Sequence, residues 1–176
     1  MADIKQDLKA LARFLDVKGV KVNVNSETKV PVLTLNGMTV TGLSSVANYL
    51  AKTAGRRDLI GGNDAAERAA VSQWLEYRVT EIDRCHSEKD VSTVLKELNS
   101  YLETRTFFLG ERVTLPDLLI MYGVRSAVSL LTFQEKEKFM HLSRWCDNVQ
   151  SIEGVLQKQQ TPVFFVKNPL YAGVQS

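Results

Sequence analysis

Ile4, Leu8, Leu11, Ala12 and Leu15 recur at helical spacing, with Asp3, Lys5, Asp7, Lys9 and Arg13 between them. That pattern predicts an amphipathic helix over residues 3–16, ending before Gly19. The period then changes. Val20, Val22 and Val24 alternate with polar residues as in a half-buried strand, and residues 25–29 read as a turn. Val30-Pro31-Val32-Leu33 opens a second strand. Pro31 removes a backbone donor, and an X-Pro bond can be cis at modest cost, which suits a strand start beside a ligand groove. Asn36-Gly37 supplies a two-residue hairpin turn, with Val32, Leu33 and Leu35 before it and Met38 and Val40 after it. A helix over residues 43–53 follows, with Val46, Tyr49 and Leu50 facing inward.

Residues 54–62, with Gly55, Gly61 and Gly62, break all periodicity and read as a connection. They separate a short α/β subdomain, residues 1–56, from an all-α domain, residues 63–170. Asn63 or Asp64 caps a long helix running to about Arg84, with Val71, Leu75, Val79 and Ile82 on its core stripe. Residues 90–103 form the next helix. Residues 114–131 are apolar nearly all round, the mark of a central buried helix. Thr114 and Asp117 form a capping box at its start, stapled by Val113 on Leu118, a folding device worth about 1–2 kcal/mol. Residues 133–140 and 142–149 supply the last helices, with the break near His141 left open. Pro162 and Pro169 interrupt a tail, Val163-Phe164-Phe165-Val166, expected to pack back on the surface.

Composition narrows the function classes. The 176 residues are 44% hydrophobic and 24% charged, and a net charge of +2 is too small to imply nucleic-acid binding. The densest basic groups, Arg56-Arg57 and Lys136 with Lys138, are offset by Asp58, Glu135 and Glu137. Charged positions interrupt the first thirty residues and no apolar run is long enough for a membrane span. Two cysteines, Cys85 and Cys146, read as free thiols in a reducing cytoplasm. With His86 and His141 they have no compact zinc spacing, so neither metal nor cofactor is expected.

The Pro31 strand, the hairpin and helix after it, and Phe107-Phe108-Leu109-Gly110-Glu111-Arg112-Val113-Thr114-Leu115-Pro116-Asp117-Leu118-Leu119 together resemble the glutathione-transferase family. The resemblance implies a truncated thioredoxin-like half followed by a helical half. In that family a strand, a helix and a strand precede the proline. The thirty residues before Pro31 hold a helix and one short strand. No Tyr, Ser or Cys precedes Ser26, so the group that activates the thiol of glutathione is missing. The two positions that hold the γ-glutamyl group correspond to Gly42 and Leu43, with Ser44 or Ser45 as substitutes only if the correspondence slips. No catalytic residue is therefore assigned.

A narrower resemblance rests on Gln73-Trp74-Leu75-Glu76-Tyr77-Arg78-Val79-Thr80, Leu98-Asn99-Ser100-Tyr101-Leu102-Glu103, Gln134-Glu135-Lys136-Glu137-Lys138, Ser143-Arg144-Trp145, and Lys167-Asn168 with Leu170-Tyr171. These blocks are similar to the small transferase-like auxiliary proteins of the animal multi-aminoacyl-tRNA synthetase complex. The resemblance implies a non-catalytic scaffold with two surfaces. One, on the outward faces of two helices, carries Ala47, Asn48 and Ala51, then Arg68, Ala69, Ser72 and Gln73, and pairs with the transferase-like domain of methionyl-tRNA synthetase. From the pattern alone, these alanines are equally explained as good helix formers. The other, Arg144 with Trp145, engages the corresponding domain of glutamyl-prolyl-tRNA synthetase. Arg144 as a local helix cap, or paired with Asp147, is the competing reading. Nuclear entry after DNA damage, with checkpoint kinases as partners, is also implied by the resemblance. The alternatives are a glutathione-dependent transferase and an interaction domain of the elongation factor 1 complex.

Overall fold

The computed structural model describes residues 3–156 and 160–165. Helix α1, Ile4–Phe14, starts where the Asp3 carboxylate accepts from the Lys5 and Gln6 amides and buries Leu8, Ala10, Leu11 and Ala12. Strands β1 (Lys21–Val24), β2 (Pro31–Leu35) and β3 (Met38–Thr41) then form an antiparallel meander in that order. Asn25 closes the first turn by accepting from the Glu27 and Thr28 amides at 2.9 and 3.0 Å. Asn36 and Gly37, at φ 50° and 78°, make the second turn in the left-handed region that a type I′ hairpin requires. The Val30–Pro31 peptide is trans, not the cis form open to an X-Pro bond.

Helix α2, Leu43–Thr53, faces the sheet and α1 with Leu43, Val46, Ala47, Leu50 and Ala51. That is the i, i+3, i+4, i+7, i+8 stripe of a core-facing helix. Tyr49, expected inside, is half-buried at its margin. A 3₁₀ turn, Arg57–Ile60, carries the chain to α3, Ala65–Tyr77. Gly61 makes that junction possible. At φ 89°, a Cβ here would stand 2.6 Å from the Arg68 amide nitrogen, so only glycine lets the connection lie against the start of α3.

The helix expected to run to Arg84 instead changes at Tyr77 into a π turn, Arg78–Ile82. Arg78 is fully buried there. Its Nη2 meets Asp7 of α1 at 2.6 Å and its Nε meets Asp83 at 2.7 Å, while Nη1 donates to the Leu119 carbonyl. Gly123 leaves the space: a Cβ there would fall 2.6 Å from the guanidinium. One cation thus ties α1 of the first half to the π turn and to α5, Leu115–Leu130, of the second. Burial pushes the Asp7 carboxyl above its ordinary value, and Arg78 opposes that shift.

Helix α4, Glu88–Tyr101, begins at a Ser87/Asp90 capping box, two residues before the position read from sequence. Helix α5 is buried along most of its length and forms the centre of the molecule. The break left open near His141 falls at Phe139, between α6 (Phe133–Lys138) and α7 (Met140–Gln150). Asn99 of α4 caps α7 from across the fold, its Oδ1 accepting from the His141 and Leu142 amides at 3.1 Å each. Residues 160–165 do pack back: Val163 is buried, and its amide and carbonyl exchange hydrogen bonds with the Gln150 side chain at 2.9 and 2.8 Å. Val166, Lys167, Asn168, Pro169, Leu170 and Tyr171 lie outside the described residues. One continuous hydrophobic core spans both halves.

Candidate interaction surfaces and the altered thiol site

The corner that would hold glutathione in a transferase lies where β2 and β3 meet α2. Gly42, at φ 89°, donates its amide to the Pro31 carbonyl at 2.9 Å, and its own carbonyl accepts from Val46 as α2 begins. Leu43 is 2% exposed and belongs to the core. Ser44 accepts from Asn48 Nδ2 at 3.4 Å, and Ser45 is exposed. The residues at this corner are one glycine without a side chain, one buried leucine, one serine that accepts a long hydrogen bond and one exposed serine. At the two corresponding positions there is thus no side-chain donor, and the hydroxyls nearby belong to Ser44 and Ser45.

The two thiols lie elsewhere and neither is activated. Cys146 is fully buried, and Cys85 donates to the Glu81 carbonyl at 3.3 Å; burial pushes both thiols above their ordinary value. Among the described residues, no three His, Cys, Asp or Glu side chains are grouped to hold a metal ion.

The structure divides the residues of the first expected surface between solvent and core. Arg68, Ala69, Ser72 and Gln73 lie exposed on α3. Arg68 Nη1 donates to the Gly62 carbonyl at 3.1 Å, and Ser72 donates to the Arg68 carbonyl at 3.0 Å. Asn48 is half-buried beside Ser44. Ala47 and Ala51, however, are both 0% exposed and face the protein's own core. They cannot reach a partner. The small residues of α2 serve packing inside the subunit, and its outward face carries Ser45, Asn48 and Lys52 instead.

The second surface divides between two neighbouring residues. Arg144 stands on the exposed side of α7, and its Nη2 donates to the Leu102 and Arg105 carbonyls at 2.7 and 3.0 Å. It therefore closes the C-terminal end of α4, the local capping role read as its alternative, while Nε and Nη1 keep their donors. Arg105 lies over the Tyr101 ring at 4.2 Å, so a second cation stands nearby. Trp145 is fully buried, which removes it from any partner surface. Its Nε1 donates to Asp117 Oδ1 at 2.9 Å.

Asp117 is the hub of that interior. Oδ1 also accepts from the Phe108 amide at 3.0 Å, and Oδ2 accepts from the Thr114 amide and hydroxyl, both at 2.8 Å. The capping box read from sequence is present, and it extends into a buried network joining α5, α7 and the segment before α5. Burial pushes the Asp117 carboxyl up, against the four donors that favour its charged form. Sequence reasoning missed Arg78, although a signal existed: it occupies the core stripe between Leu75 and Ile82, where a cation is out of place unless paired.

A sphingomonad glutathione S-transferase complexed with glutathione superposes with a TM-score of 0.69 at 17% identity, over 87% of this chain and 91% of that one, which establishes the shared fold. The family pattern of the nuclear-export cofactor Arc1p matches residues 67–153. The bifunctional glutamate/proline–tRNA ligase of Cricetulus griseus is 29% identical over 140 residues, 78% of this chain and 9% of that protein. Eukaryotic translation elongation factor 1 epsilon-1 of Homo sapiens is 44% identical over 155 residues, covering 88% of each chain. At that identity and coverage, the chain belongs to the eukaryotic translation elongation factor 1 epsilon-1 family.

Proposed function

We propose that the protein is a non-catalytic adaptor of the multi-aminoacyl-tRNA synthetase complex, with two docking surfaces on separate helices. The observation that carries this reading is a transferase-like fold with a shortened first half, in which the two positions corresponding to those that hold the γ-glutamyl group are Gly42 and a buried Leu43. The similarity to a segment of a glutamate/proline–tRNA ligase supports it, because two like folds can pair about a pseudo-two-fold axis through matching helices. On this reading the α3 face of Arg68, Ala69, Ser72 and Gln73, with Asn48 at its edge, takes the transferase-like domain of methionyl-tRNA synthetase. The Arg144 surface takes that of glutamyl-prolyl-tRNA synthetase. Residence in the cytoplasm, and in the nucleus after DNA damage with checkpoint kinases as partners, belongs to the same reading.

Two measurements test it. Ala69→Glu places an unpaired carboxylate in a helix contact and should abolish methionyl-synthetase capture at a cost of several kcal/mol, while glutamyl-prolyl capture persists. Arg144→Ala should do the reverse, weakening glutamyl-prolyl capture by about 2 kcal/mol, with a loss of fold stability of only about 1 kcal/mol from the freed α4 carbonyls. Capture experiments with each partner domain, alongside thermal melts, decide the matter: a variant that loses both partners or neither while folded overturns the two-surface assignment. Separately, calorimetric titration with glutathione should detect no binding at millimolar concentration. Sub-millimolar affinity would restore the transferase alternative.

A further inference from the structure

Residues 160–165 cross the region where α5 gives way to α6, and they roof an open groove of about 500 Å³. Arg125, Ser129, Phe133, Lys136, Pro162 and Phe164 line it. The segment is tied at three points: the Gln150 amide pair with Val163, Arg125 Nη2 to the Thr161 carbonyl, and Lys136 Nζ to the Phe164 carbonyl at 3.0 Å. The groove is therefore held open by hydrogen bonds at its edge.

Its charge is unbalanced. Lys136 is 7% exposed, yet among the described residues no carboxylate pairs with it. Its ammonium has one carbonyl acceptor and faces the rings of Phe133 and Phe165 at 5.4 and 5.7 Å. Arg125 likewise has no carboxylate partner, and its Nε is buried without any acceptor. Of the two acids flanking Lys136, Glu135 is committed to the Thr132 amide and hydroxyl at 2.8 and 2.7 Å, and Glu137 is exposed and makes no ion pair among the described residues. Burying a cation without a counter-ion is costly, so the buried Lys136 and the half-buried Arg125 beside it make the groove complementary to an anionic group.

The rest of the lining is mixed, with Ser129, Gln160 and Thr161 beside the apolar Phe133, Pro162, Val163 and Phe164. Phe133 and Phe164 are exposed although large, and Leu130 at the end of α5 is 84% exposed. We propose that this groove docks a peptide segment of a partner protein in which a carboxylate side chain sits beside bulky apolar residues. The carboxylate lies against Arg125 and Lys136, and the apolar residues cover Phe133, Pro162 and Phe164. Charge complementarity selects the acid, and the exposed aromatic wall selects its neighbours. The site shares no residue with the α3 or Arg144 surfaces, so it stands or falls independently of them.

The test uses the ¹⁵N-labelled full-length chain titrated with the peptide acetyl-Leu-Glu-Leu-Phe-amide and with the same peptide carrying Gln or Lys in place of Glu. The Glu peptide should shift the amides of Ser129, Phe133, Lys136 and Val163 and bind at least about tenfold more tightly than the Gln peptide, with the Lys peptide weakest. Lys136→Met keeps the apolar stem, and Arg125→Gln keeps a polar donor. Each should erase the preference for Glu, and Lys136→Met should leave the melting temperature unchanged or raised. Equal binding of Glu and Gln peptides overturns the proposal, as does inorganic phosphate giving the same shifts when no peptide does. A lowered melting temperature in Lys136→Met with the Glu preference intact would make Lys136 a tether of the 160–165 segment and nothing more.

Discussion

Asp117→Ala is expected to lower stability by about 3–5 kcal/mol, a larger loss than the roughly 1 kcal/mol of an ordinary helix cap. The difference lies in burial. A surface cap returns its donors to water, whereas here the Phe108 amide, the Thr114 amide and Trp145 Nε1 would be left inside the protein without an acceptor. For a chain of this size the melting temperature should fall by about 10 °C or more. Asp117→Asn should be intermediate, because one carbonyl oxygen can still serve Phe108 and Trp145 while the new NH₂ meets the Thr114 amide head-on. An alanine variant that melts with the wild type would show that the network contributes nothing. Partner capture by whatever fraction stays folded should be unaffected, since Trp145 and Asp117 lie beneath both surfaces.

Arg78→Met should cost about as much, about 3–5 kcal/mol, because it strands Asp7 and Asp83 after removing their shared cation. Its pH dependence carries a sign. Asp7 is already pushed up by burial, and losing Arg78 pushes it further. The folded variant then takes up a proton before the unfolded chain does, so its deficit should shrink as pH falls from neutrality toward the ordinary carboxyl value of 3.8. Gly123→Ala attacks the same clamp from the other side by driving a methyl group into the guanidinium. Combined with Arg78→Met, that second change should cost less than it does alone. Strict additivity in denaturant melts would show that Gly123 and Arg78 do not share one space.

The sequence was most readable where a local device has a fixed spacing. Asn36-Gly37, the Thr114/Asp117 box and the apolar α5 each depend on a few neighbouring residues, and each appears where its pattern places it. The same holds for the transferase fold itself. Legibility failed where the third dimension chooses between equivalent readings. Ala47 and Ala51 suit an exposed helix face or a tight core contact equally well, and the positions of Leu43, Val46 and Leu50 decide for the core. Trp145 sits one residue from Arg144, and a rotation of about 100° per residue sends one inward and the other outward. The π turn at Arg78 was hidden because the apolar stripe continues through it, and only the tertiary demand of Asp7, Asp83 and Leu119 exposes its purpose.

The three-stranded meander bears on how the chain folds. Parallel neighbours in a sheet need a crossover of a dozen or more residues, and closing that loop slows folding. In this sheet β1, β2 and β3 are joined only by the turn after Asn25 and by Asn36-Gly37. Registry can therefore spread outward from the tighter turn on the timescale of hairpin formation, about 1–10 μs. The sequence-distant search is left to α1 finding α5, with Arg78 waiting between them. The first half-domain is thereby a locally encoded platform onto which the helical half can condense.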